Sequence, residues 1–89
     1  MPEKTLTISN KRGLHARAAT KLASTAAQYT SEIKVSCKTQ TVDAKSIMSL
    51  MLLAAAKGTD ITLTINGSDQ SEAMEALADL VNNKFDEGE

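Results

Sequence analysis

The chain carries a single histidine, His15, inside Gly13-Leu14-His15-Ala16-Arg17. It falls where a loop gives way to a helix. Lys11, Arg12, Arg17 and Lys21 surround it, and no acid occurs between Glu3 and Glu32. A helix start leaves its first N–H groups without internal partners and carries partial positive charge, which makes it a ready seat for phosphate or carboxylate. The same partial charge and the nearby cations favour an uncharged, nucleophilic ring nitrogen. An imidazole in that position can accept a phosphoryl group and hold it, because phosphoryl transfer asks mainly for positioning and charge neutralisation. Arg17, two residues into the helix, is the second candidate, since guanidinium engages phosphate oxygens in pairs. The backbone N–H groups of Ala16, Arg17 and Ala18 complete the candidate phosphate-binding set. Arg12 and Lys21 add positive field.

Other chemistries fit less well. A solvated histidine beside a helix cap is the plainest alternative. One His and one Cys, separated by a strand, cannot close a zinc site, so no metal is expected. Cys37 continues the apolar alternation of Ile33 and Val35, which places it in the core rather than beside His15 as a nucleophile. The chain has no Gly-rich phosphate loop and no acid cluster for magnesium, so no cofactor is expected and the phosphoryl group must come from another protein and leave to another.

Composition narrows the class. The 89 residues suffice for one modest core and predict a single domain, 1–89, with an aliphatic, alanine-rich interior: there is no Trp, one Tyr and one Phe. No signal-like or membrane-length apolar run is evident, and a lone Cys suits a reducing compartment, so the expectation is a cytoplasmic protein without membrane association. Net charge is −1 but unevenly spread. Lys and Arg dominate up to Lys57, whereas Lys84 alone answers the acids Asp60, Asp69, Glu72, Glu75, Asp79, Asp86, Glu87 and Glu89. An acidic protein partner or an anionic group is therefore expected at the basic segment around His15. Nucleic acid is disfavoured, because no aromatics interleave the basic residues for stacking.

The elements that must position His15 follow from periodicity. Lys4 to Asn10 alternates as a half-buried strand, and Ala19, Leu22, Ala23 and Ala26 mark the buried stripe of a helix starting at Ala16, with His15 at or beside its N-cap and Leu14 packing near Ala19. Ile33, Val35, Cys37, then Val42 and Ala44, read as a hairpin turning near Lys38-Thr39. Ser46 caps a second helix whose inward stripe is Ile47, Leu50, Met51 and Ala54, stopped by Lys57-Gly58. Met48 and Leu52 then have to face elsewhere, and exposed methionines suit a surface that meets several partners. Ile61, Leu63 and Ile65 make a fourth strand, Asn66-Gly67 a turn, and Asp69 with Glu72 a capping box. Ala73, Ala76, Leu77, Leu80 and Val81 carry a third helix to about Phe85, leaving Asp86 to Glu89 frayed. Every strand has one wet face, which predicts an α+β open-faced β-sandwich, βαββαβα, with a four-stranded antiparallel sheet and three helices on one side.

These residues bear a family resemblance. Gly13-Leu14-His15-Ala16-Arg17, the later Lys45-Ser46-Ile47-Met48 and the element order resemble the histidine-containing phosphocarrier (HPr) family of the bacterial phosphoenolpyruvate-dependent phosphotransferase system, across essentially the whole chain. The resemblance implies that enzyme I phosphorylates His15 on Nδ1, that Arg17 contacts the group, and that enzyme IIA domains of a sugar or nitrogen-related branch receive it. It implies docking of both partners on the first two helices, with Thr20, Lys21, Ser24, Ile47, Met48 and Met51 as candidate contacts, by a protein acting as a monomer. In some bacteria the family's serine matching Ser46 is phosphorylated by a separate HPr kinase/phosphorylase, so the resemblance marks Ser46 as a regulatory candidate. The family usually has proline after the arginine, and here Ala18 stands in its place.

Overall fold

The computed structural model describes residues 3–53, 55–83 and 85. Along them run β1 (Glu3–Thr7), α1 (Ala16–Ala26), β2 (Glu32–Cys37), β3 (Gln40–Asp43), α2 (Ile47–Leu52), β4 (Asp60–Asn66) and α3 (Gln70–Asn82). The four strands form one antiparallel sheet in the order β1-β4-β2-β3. Three helices pack on it and leave its other face open.

Period-two alternation explains the sheet. Ile33, Val35 and Cys37 of β2 and Ile61, Leu63 and Ile65 of β4 are all buried, and the register sets Ile33 opposite Ile65 and Val35 opposite Leu63. The intervening residues form the wet face, where hydroxyls pair across strands: Thr5 with Thr62 at 3.0 Å, Ser36 with Thr41 at 3.0 Å, and Thr7 donating to Asp60 at 2.6 Å. The hairpin between β2 and β3 turns through Lys38 and Thr39, with Lys38 in the left-handed region at φ 57°. Leu22 of α1, Leu50 of α2, Leu77 of α3 and Phe85 have no exposed surface, and burying each such side chain is worth about 2 kcal/mol.

The second helix is shorter than the apolar run that predicts it. It spans only Ile47–Leu52, and Lys57-Gly58 is not its stop. The chain leaves the helix because its backbone is needed elsewhere: the Ala55 carbonyl accepts from the Leu14 N–H at 2.7 Å, and the Gly58 N–H donates to the Ile8 carbonyl at 2.7 Å. The inward stripe changes accordingly. Leu50 and Leu53 are buried, while Ile47 and Met51, expected inside, are 39% and 43% exposed; Ala54 lies outside the described residues.

The third helix ends at Asn82 rather than near Phe85, and it buries Ala73, Leu77, Ala78 and Val81, with Ala76 and Leu80 only half-buried. The expected fraying of residues 86–89 lies outside the described residues. Asp69 is the N-cap residue, but its side chain makes no capping bond, so the capping box with Glu72 does not form. Its carboxylate instead turns back to the loop before β2. It accepts from the Ser31 hydroxyl, from the Ser31 N–H at 3.0 Å, and from the Thr30 N–H at 2.8 Å and hydroxyl at 3.3 Å. Gly67 makes this clamp fit, since a Cβ there would stand 2.6 Å from the Ser31 Cα.

The clamp has a pH signature. The Ser31 hydroxyl bond first, then the Thr30 backbone bond, lower the Asp69 pKa from 3.8 to about 2. A carboxylate with a depressed folded-state pKa contributes stability that is complete above its unfolded value and lost as pH falls through the folded one. The Asp69→Asn variant should therefore melt below the native protein by a margin that is constant from neutral pH down to about 4 and closes towards pH 2. Thermal melts across that range check it; a margin independent of pH throughout would assign the clamp no ionic character.

Candidate functional site

The loop 10–15 delivers His15 to the start of α1. The Gly13 carbonyl is a shared acceptor, taking the His15 N–H at 3.0 Å and the side-chain amide of Asn10 at 2.8 Å. Asn10 is fully buried, and its backbone carbonyl accepts from the Gly13 N–H at 3.2 Å. Gly13 lies at φ 67°, a conformation that a residue with a side chain adopts at a cost. Leu14 is buried and hydrogen-bonded to Ala55, so the segment after α2 grips the loop immediately before the histidine. Nothing in the sequence marks Asn10 or Ala55 for these contacts. An Asn in a basic loop and an Ala in an alanine run carry no signal of such roles.

His15 is the N-cap of α1, in extended backbone geometry with φ −85° and ψ −177°. Its Nδ1 accepts from the Arg17 N–H at 3.2 Å. The ring thus does what a Ser or Asp N-cap does, and an accepting Nδ1 places the ring proton on Nε2. The first intrahelical bond runs from the Ala19 N–H to the His15 carbonyl at 2.8 Å, so the amides of Ala16, Arg17 and Ala18 precede the helical ladder. Nδ1 therefore meets the Arg17 N–H at the positive end of a helix that has no acid in its first turn.

The other sequence-derived candidates divide. Arg17, Thr20 and Ser24 are exposed on α1, and the Thr20 hydroxyl donates to the Ala16 carbonyl at 2.8 Å. Lys21 is half-buried and its ammonium donates to the Phe85 carbonyl at 2.8 Å, tying α1 to the residue beyond α3. Ala18 is fully buried. Ser46 is the N-cap of α2 and accepts from the Ser49 N–H at 3.3 Å. α2 packs beside α1 and presents Ile47, Met48, Met51 and Leu52 as exposed large apolar side chains. His15 and this apolar face therefore stand on neighbouring helices. Cys37 is buried, away from exchange with solvent.

The substitution at position 18 has a testable consequence. Proline in a first helical turn removes only an N–H that has no internal partner, and it restricts the unfolded chain. Ala18→Pro should keep the phosphoryl acceptance that the family resemblance implies and raise stability by about 0.5 kcal/mol. Melting and acceptance assays check both; a large loss of acceptance would show that the Ala18 N–H is needed at the phosphate.

The fold and the helix-capping histidine define an open-faced sandwich of the phosphocarrier type. A crystallised HPr of Thermoanaerobacter tengcongensis superposes with a TM-score of 0.94 at 44% identity, covering 98% of each chain. The model of the PTS HPr component phosphorylation site family matches residues 2–83. The phosphocarrier protein HPr of Neisseria meningitidis serogroup A is 53% identical over the full length of both chains, and the phosphocarrier protein NPr of Shewanella violacea is 44% identical over 96% of this chain and 93% of its own. The chain belongs to the HPr family of the phosphotransferase system. Among the described residues no helix is long and apolar enough to cross a membrane.

Proposed function

We propose that residues 1–89 act as one cytoplasmic carrier domain, a monomer, which takes a phosphoryl group from phosphorylated enzyme I onto His15 and passes it to an enzyme IIA domain. The observation that carries this reading is the His15 cap: Nδ1 accepts from the Arg17 amide at 3.2 Å at the start of α1. In the transfer, a bond forms between Nδ1 and phosphorus as the donor's bond to phosphorus breaks, and Nε2 keeps its proton. The Arg17 amide loses its bond to Nδ1 and becomes free to meet a phosphoryl oxygen, together with the Ala16 amide; the Ala18 N–H adds a further donor on which the transfer does not depend. The exposed Arg17 guanidinium neutralises the charge that arrives. The reverse step to the acceptor uses the same contacts.

Docking in this reading uses the first two helices: Thr20 and Ser24 on α1, with Lys21 between them, and Ile47, Met48 and Met51 on α2. Ser46 serves as a regulatory site for an HPr kinase/phosphorylase. A phosphate there is tolerated at a helix start but sets a double negative charge within the docking face. Ser46→Asp is expected to raise KM for enzyme I about tenfold with little change in fold, as read by steady-state transfer assays; an unchanged KM would remove the regulatory role. Reconstitution tests the relay: the phosphorylated protein is mixed with a purified IIA domain, and the label is expected to move to the acceptor. Retention of label on the carrier with every IIA domain of the host would contradict it. The relation to an NPr favours a nitrogen-branch acceptor as a second reading, and the same assay with a nitrogen-branch IIA decides between them.

A further inference from the structure

The sulfur atoms of the described chain occupy two kinds of environment. Cys37 is 6% exposed within β2, and Met74 is half-buried against the core. Met48 and Met51 are 74% and 43% exposed on α2. Three positions apart on a helix, they are neighbours on one face, and Ile47 and Leu52 extend the same apolar surface. The only buried residue of α2 is Leu50, followed by Leu53 just beyond the helix. Core packing at this helix thus rests on leucine, and the two accessible thioethers stand outside it.

We propose that Met48 and Met51 are an oxidant-responsive modification site: a hydroperoxide converts them to sulfoxides, which weakens partner docking while the fold and His15 are left intact. This rests on the carrier reading, in which the α2 face meets enzyme I and IIA domains. The chemistry balances without any further reagent. A sulfur lone pair attacks one peroxide oxygen, the O–O bond breaks, the S–O bond forms, and water leaves when the oxidant is hydrogen peroxide. Sulfur gives up two electrons and the peroxide gains them. The product is a polar, chiral group where an apolar one stood, and sulfoxide reductases reverse it. Docking strips water from this face, and a strongly polar oxygen without a partner resists that desolvation. The buried Cys37 is screened by the core, so the two methionines meet the oxidant first.

The test uses the whole protein, treated with hydrogen peroxide and mapped by peptide mass. Oxidation is expected at Met48 and Met51 before Met74 or Cys37. Transfer from phosphorylated enzyme I should then show KM raised about tenfold with kcat and the melting temperature unchanged, a split that unfolding would not produce. In the Met48→Leu/Met51→Leu double variant, peroxide should leave that variant's own KM where it stood before treatment. Three results would overturn the proposal: full oxidation of both methionines with KM unchanged, prior oxidation of Met74 or Cys37, or an equal KM rise in the double variant. An untreated protein that takes no phosphoryl group overturns the carrier reading first, and this proposal with it.

Discussion

His15→Asn is expected to accept no phosphoryl group from phosphorylated enzyme I while melting within a few degrees of the native protein. Asparagine is among the best N-cap residues, so it preserves the hydrogen bond that the His15 ring now receives from the Arg17 N–H, but it offers no nucleophilic nitrogen. His15→Ala should be equally inert and also less stable, because losing an N-cap costs about 1 kcal/mol, or about 4–8 °C for a domain of this size. The pair separates the two jobs of one side chain. Acceptance should fall below detection in both variants, a loss of at least about 10³-fold, since no second imidazole exists to take over. Measurable acceptance by His15→Asn would move the reacting group off His15 altogether.

The second large effect is structural and strikes the same loop. Gly13→Ala adds a Cβ to a residue held at φ 67°, and that atom would sit 2.8 Å from the Ala56 Cα and against the Ala55 carbonyl oxygen. Both neighbours are backbone, which cannot swing aside as a flexible side chain can. The left-handed conformation costs about 1 kcal/mol for a residue with a Cβ, and overpacking adds about 2, so the variant should lose about 3 kcal/mol. For 89 residues that corresponds to more than about 10 °C in melting temperature. Displacing Ala55 also releases the Leu14 amide it holds, so the His15 cap should loosen and phosphoryl acceptance should slow at saturating donor. A Gly13→Ala protein that melts like the native one would mean that the segment after α2 does not grip the loop.

Much of this was legible beforehand, for identifiable reasons. Alternating apolar residues gave the strands, and the Ile33/Val35/Cys37 set is buried where the pattern puts it. His15 reads as a helix cap because a helical stripe begins directly after it, and the ring does cap. What stayed hidden depends on contacts between distant segments. Asp69 followed by Glu72 fits a capping box locally, yet Thr30 and Ser31 offer the carboxylate four donors and win it. The run from Ile47 to Ala56 supports a longer helix on propensity alone, but Leu14 needs the Ala55 carbonyl and Ile8 needs Gly58, so the helix stops at Leu52. Ile47 and Met51 also face outward, because Leu50 and Leu53 take the buried positions, and this widens the apolar face beside the histidine beyond the Met48 and Leu52 that periodicity exposes. The role of Asn10 was invisible for the same reason: nothing in a basic loop signals that a buried amide will hold the Gly13 carbonyl.

The phosphohistidine itself is the direct target for measurement. The protein is incubated with enzyme I of the same organism, magnesium and phosphoenolpyruvate, weighed intact, digested to locate the modification, and weighed again after brief acid treatment. One added phosphoryl group, located on the peptide that contains His15 and removed by acid, is the expected result. No gain in mass, or an acid-stable group on another residue, would contradict the assignment of His15 as the carrier site.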